Sequence, residues 1–176
     1  MQLKSLDGCL LRIGSYPPFI YNAYGGGGQA KLHPCQTKNL LHISFSSNTF
    51  SIPPLTSKTT RFLSLPLLPG FKIEMFMDHL EGTIDKNSGE VLLNFESKFI
   101  FSIGDMLKFP KLIVKTLLKT GKVKGKLHEG EGRILQNNGA TKLVGISIIP
   151  KTGNKILDKF LSLPNEAIAE LKCEIK

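Results

Sequence analysis

The sequence predicts a mainly β protein, an antiparallel β-barrel or sandwich built from two related halves with one or two short helices. Three observations carry that expectation. Segments 71–80 and 91–103 alternate apolar and polar residues with period two, the pattern of a half-buried strand. Clusters of Asp, Asn, Ser and Gly recur between apolar segments without a strand–helix–strand rhythm, which favours antiparallel neighbours. The pentapeptide FLSLP stands at 62–66 and again at 160–164, as if one unit had been written twice.

In chain order, strands are expected near 8–13, 29–33 and 40–46. Residues 71–80 put Phe71, Ile73, Met75 and Met77 on one face, and Lys72, Glu74 and Asp78 on the other. The DKNSGE stretch at 85–90 supplies the residues of a tight hairpin connection. In 91–103, Val91, Leu93, Phe95, Phe99, Phe101 and Ile103 share one face, opposite Asn94, Glu96, Lys98 and Ser102.

Between 102 and 120 the spacing predicts a helix. Asp105 stands near its start, Pro110 in its first turns and Gly121 at its stop. Lys108, Lys111, Lys115 and Lys119 recur at intervals of three and four, leaving Leu112, Ile113, Val114, Leu117 and Leu118 to pack on the sheet. Strands follow near 122–135 and 141–149, joined by the Asn-Gly turn of QNNGA at 136–140. A second short helix is expected from Asn154 to Leu161. Leu171, Cys173 and Ile175 then alternate with Glu170, Lys172 and Glu174 in a closing strand near 169–175.

Compared with itself, the chain matches SLDGCLLRIG (5–14) to KNSGEVLLNF (86–95), KLH (31–33) to KLH (126–128), and the two FLSLP words. The matches are colinear. The chain therefore reads as a single domain, 1–176, with an internal repeat of 3–80 and 84–176. The helix near 104–120 would be an insertion in the second copy, where the first has Gly25–Gly28.

Apolar content of 41% and charged content of 21% suit a folded domain and argue against disorder. Cys9, Cys35 and Cys173 are odd in number and form no CxxC pair, which points to a reducing compartment. No secretory or transit signal is visible and no apolar run could span a bilayer as a helix, so the expected location is cytoplasmic. The net charge of +9 is local: seven lysines and no acid lie between Lys108 and Lys126, and the other 16 basic residues nearly balance 14 acidic ones. Nucleic acid is not the partner this implies, because the charge is confined to one segment and poor in arginine.

Gly25–Gly28 lacks the GK[ST] of a phosphate loop, and His33-Pro34-Cys35 has no partner pair at metal spacing, so neither a cofactor nor a metal is expected. His79 continues the apolar face of Met75 and Met77, and Glu81 falls on it next. In the 122–135 segment, Glu129, Glu131 and Arg133 share a face with Val123 and Leu127. If those faces meet inside a barrel, His79, Glu81, Glu129, Glu131 and Arg133 line one mouth of it, placed to hold a ligand head group or to do acid–base work. Lys108, Lys111, Lys115, Lys119 and Lys122 offer a contact for an acidic protein or an anionic membrane.

The first functional reading is a barrel that binds a small apolar or amphipathic ligand, a lipid or pigment. The alternatives are a small isomerase, lyase or hydrolase using His79, Glu129 and Glu131, and an interaction module using the lysines. The stretches KFPKLIVKTLLKTGKVKGK (108–126), GEGRI (130–134) and FLSLPNEAIAEL (160–171) resemble a small uncharacterised family of cyanobacteria and plant plastids. The resemblance covers about the last 70 residues. It implies a setting and carries no catalytic residue. Oligomeric state is left open by the sequence.

Overall fold

The computed structural model describes residues 1–33, 39–104 and 106–176, so Pro34, Cys35 and Asp105 lie outside the described residues. Strand accounts for 58% of the chain and helix for 4%, which fixes the class as mainly β and antiparallel. The first half carries β1 (Gln2–Ser5), β2 (Cys9–Ile13), β3 (Phe19–Tyr21), β4 (Gly27–His33), β5 (Leu40–Phe45), β6 (Thr60–Phe62) and β7 (Leu65–Pro66). Two long strands follow, β8 (Phe71–Asp85) and β9 (Val91–Ile103), then β10 (Leu107–Lys108) and β11 (Leu112–Lys119). The last part holds β12 (Lys122–Lys124), β13 (Glu129–Glu131), β14 (Ala140–Ile149), α1 (Lys155–Phe160) and β15 (Asn165–Ile175).

The main sheet closes on itself. β1 pairs with β15 on one edge and with β4 on the other, so the order β1-β4-β5-β8-β9-β11-β14-β15 returns to its start as a barrel-like ring. Closure satisfies the backbone edges that an open sheet would leave unpaired. β2 continues β1 along the same edge of β15, after a kink in which Gly8 adopts φ 74°. From β2 the order β3-β6-β7 runs on as a side wall. Leu55 closes that wall against β8 by exchanging two backbone hydrogen bonds with Ile73, at 2.9 and 3.0 Å.

The ring has two distinct ends. One carries the turns at 86–90 and 136–139 and the joined chain termini, where Lys176 N–H donates to the Gln2 carbonyl at 3.0 Å. The other carries the β6–β7 turn, the β9–β10 turn and α1. The core has two layers. Cys9, Tyr21, Leu55, Ile73, Phe99 and Ile149 belong to the layer nearer α1. Leu3, Ile43, Leu93, Leu118, Leu143 and Ile175 belong to the layer nearer the termini.

β9 spans 91–103, as its alternation predicts, and the 85–90 and 136–140 turns form where Asp, Asn and Gly require them. Asp85 Oδ1 accepts from the Asn87 and Ser88 N–H groups, and Gly89 and Gly139 take φ of 72° and 89°. α1 matches the expected second helix, with the Asn154 side chain accepting from the Leu157 N–H at 2.9 Å as its N-cap.

The helix expected at 104–120 is a correction. Leu112–Lys119 is β11, paired to β9 from Leu112↔Phe99 through Lys119↔Leu92. A spacing of four serves either one helical turn or two strand repeats, so Lys111, Lys115 and Lys119 fit both. β-branched Ile113, Val114 and Thr116 and the waiting edge of β9 decide for strand. Leu112, Val114 and Leu118 are buried, while Lys115 and Leu117 face out. The expected strand at 122–135 is likewise only the short hairpin β12–β13, broken by a turn at Gly125–His128.

The two FLSLP words differ in conformation. In the first, Leu63 and Ser64 (φ 53° and 65°) make the β6–β7 turn. The second ends α1, and its Ser162 takes φ 55° before Pro164 leads into β15. Only the left-handed serine is common to both.

Candidate functional site

The interior of the ring is not filled. A cavity of about 120 Å³ lies within it. Its cause is a mismatch of side-chain sizes across the barrel. β8 and β9 project Met75, Phe95, Phe99 and Phe101 inward, whereas the facing wall of β14 and β15 carries Gly145, Ser147, Ala167 and Ala169. Gly145 must be small, since a Cβ there would stand 2.5 Å from Thr116 Oγ1. Those four residues leave space that the aromatic side cannot reach.

Few polar groups face this space. Tyr21 is buried at 8% exposure and lines the cavity. Burial raises the phenol pKa, so the group stays protonated and able to donate. Thr116 Oγ1 is used, donating to the Ile146 carbonyl at 3.0 Å. That bond replaces part of a thin β11–β14 ladder, whose matched pair is Lys119↔Val144. Two charged side chains border the cavity, and both are engaged elsewhere. Arg12 is exposed and its Nε donates to the Tyr16 carbonyl at 2.9 Å, and Glu170 accepts from Lys142 Nζ at 3.3 Å. No uncompensated charge points inward.

The five residues expected at a barrel mouth do not assemble there. A β-bulge between Met77 and His79 shifts the register, so that Met77 opposes Ser97 while His79 opposes Glu96. The extra residue reverses which side chains point in. Leu80 is buried, and His79 and Glu81 lie on the outer face, 3.2 Å apart. Ser97, only 1% exposed, meets the bulge with its hydroxyl and donates to the Phe76 carbonyl at 2.8 Å. Glu129, Glu131 and Arg133 are exposed on and beside the β12–β13 hairpin, where Glu129 opposes Lys124 and Glu131 opposes Lys122. The five residues thus form no common cluster on the described structure.

The lysines are also redistributed. Lys115 pairs with Glu96 at 2.8 Å across the outer face of the sheet. Lys108 and Lys111 sit near the β9–β10 turn, Lys119 at the far end of β11 and Lys122 on the hairpin. They form no single stripe.

The sequence reading missed the group that fixes the hairpin. Glu166, on the outer face of β15 and 5% exposed, accepts from the backbone N–H groups of Lys126, Leu127 and His128 at 2.7, 2.9 and 2.7 Å. Burial pushes its carboxyl pKa up, but the three N–H donors outweigh that and hold it below the ordinary 4.5, with nearby His128 adding to the effect. Gly125 admits the carboxylate, because a Cβ there would sit 2.4 Å from Oε2. His128, in the hairpin turn, is buried, and its Nε2 has no partner among the described residues. Neither Glu166 nor His128 lines the cavity. A glycine before three consecutive N–H groups is the local signal, but its acceptor is about 40 residues away.

Two amides of the Gly25–Gly28 run are engaged by neighbouring backbone. Gly26 N–H donates to the Ala23 carbonyl, Gly27 N–H to the Ser51 carbonyl, and Gly27 and Gly28 pair with β1. Cys9 and Cys173 are free and fully buried. Burial raises the Cys9 thiol and pushes that of Cys173 up to about 12, so both behave as small apolar side chains. Among the described residues, no group of three or more His, Cys, Asp and Glu could hold a metal, and no helix is long and apolar enough to cross a membrane. In comparisons with protein-family models, curated proteins and solved structures, nothing matches this chain.

Proposed function

We propose that the ring interior binds a small, neutral, apolar or amphipathic molecule, about the size of one ring or a short alkyl chain. The observation that carries this reading is the apolar cavity of about 120 Å³, with the buried Tyr21 in its lining. Size narrows the ligand class. Pockets for drug-sized ligands run to roughly 300–1,000 Å³, so an intact pigment or a whole lipid exceeds this space. An apolar cavity of roughly 150 Å³ takes benzene, which puts a single-ring guest at the upper end of what this space holds. Charge narrows it further. With Arg12 and Glu170 engaged outside, an ionised guest would lose its hydration without compensation.

The test is a calorimetric titration with benzyl alcohol and with toluene. Both are expected to bind. Replacing Ala167 by Leu fills the space, and is expected to abolish both while leaving the fold intact, with stability raised or lowered by no more than about 1 kcal/mol. Tyr21→Phe is expected to weaken benzyl alcohol by about 1 kcal/mol, or roughly fivefold, and to leave toluene unchanged. If neither compound binds the unaltered protein, or if Ala167→Leu leaves binding intact, the interior is a packing void and the reading fails.

A further inference from the structure

The end of the ring that carries α1 combines two features. Its turns expose large apolar side chains. Leu63, Leu65 and Leu68 are 64%, 67% and 75% exposed, Met106 is 98% exposed, and Leu107 is also exposed. These belong to one surface, since Gly104 N–H donates to the Gly70 carbonyl at 2.7 Å and Phe71 pairs with Ile103. Phe160 extends it from α1, its ring tilted against that of Tyr16 with centroids 5.6 Å apart. A side chain as exposed as Met106 stands on a tip and not in a groove.

The same end is basic. Arg61, Lys108, Lys111, Lys151, Lys155 and Lys159 are all exposed, and none forms an ion pair among the described residues. Its described acidic groups are occupied: Glu74 by Lys72 at 2.7 Å, Asp158 by Thr152 and Gly153, and Glu166 by the hairpin amides. At the opposite end Lys176 pairs with Glu174 at 2.7 Å.

Protruding apolar tips inside a collar of unpaired cations match an anionic lipid surface. The tips reach the acyl boundary while the cations meet the headgroups. An acidic protein would suit the cations but not the apolar tips. We infer that this end of the ring docks peripherally on an anionic membrane, through Leu63, Leu65, Leu68 and Met106 with Lys108 and Lys111 beside them. The docking does not depend on the cavity being occupied.

Sedimentation of the full chain with phosphatidylcholine vesicles, with and without phosphatidylserine, tests this. Binding is expected to the anionic vesicles, to weaken with salt, and to be far lower on the neutral ones. Lys108→Gln with Lys111→Gln should lower partitioning by roughly tenfold or more, and Leu65→Glu with Met106→Glu should do at least about as much. Lys31→Gln with Lys86→Gln, away from this end, should leave it unchanged. The chain has no tryptophan, so Met106→Trp adds a single reporter whose emission should shift to the blue on anionic vesicles. Absence of binding at low salt overturns the inference. So does binding that the lysine changes abolish but the apolar changes spare, with the reporter unshifted, which would indicate a purely electrostatic contact such as an acidic protein.

Discussion

Replacing Glu166 by Leu is expected to destabilise the protein by at least about 3 kcal/mol, because three N–H groups lose a charged acceptor in a buried place. The loss should begin locally. Hydrogen exchange at the Lys126, Leu127 and His128 amides should accelerate before exchange in β14 and β15, as the hairpin lifts from the outer face it covers. Glu166→Gln keeps one acceptor oxygen and should lose less. The sign of the pH dependence follows from the lowered pKa. The carboxyl is held below 4.5 in the folded protein, so its contribution is complete above the unfolded-state value and drains away as pH falls through the folded one. Urea midpoints measured downward from pH 5 should therefore fall more steeply for the unaltered protein than for Glu166→Gln. Parallel acid limbs would remove the carboxylate from this role.

The second large effect is expected at Gly27, where the ring closes. Gly27 takes φ 116°, and a Cβ on it would lie 2.0 Å from the Leu3 carbonyl oxygen, in the ladder that joins β1 to β4. Neither element can withdraw without opening the ring, so Gly27→Ala should cost more than about 3 kcal/mol or prevent folding. Gly25 supplies the contrast. It has φ 86° but nothing within 4 Å of its notional Cβ, so Gly25→Ala should cost only about 1 kcal/mol, from backbone strain alone. Equal losses at the two positions in chemical denaturation would mean that the β1–β4 seam is not a close-packed joint. Of the glycine run, then, Gly27 serves closure, a role its composition does not reveal.

What could be read from the sequence depended on how local each determinant was. β9 was legible to the residue because its alternation is unbroken and its turn lies immediately before it. α1 was legible through Asn154 and Pro164. β11 was not, because lysines four apart satisfy a helix and a strand equally, and the edge of β9 that settles the matter is not a property of residues 108–120. His79 was misplaced for a different reason. Period-two reading assumes an unbroken register, and one extra residue after Met77 inverts the faces beyond it. The latch depends on Glu166 meeting amides about 40 residues earlier, and the cavity on Gly145, Ser147, Ala167 and Ala169 facing Phe95, Phe99 and Phe101 across the ring. Small residues at every second position of two strands were visible as letters. Their consequence appears only once the aromatic wall stands opposite.

Methyl-resolved NMR tests at the atoms concerned whether the interior of the ring takes a guest. During titration with benzyl alcohol, the methyl resonances of Ile73, Met75, Leu112, Val114 and Ile149, which line the cavity, should shift together and saturate. Those of the exposed Ile20, Leu68 and Ile156 should stay in place. Shifts confined to the exposed methyls, or growing without saturation, would contradict an interior binding site.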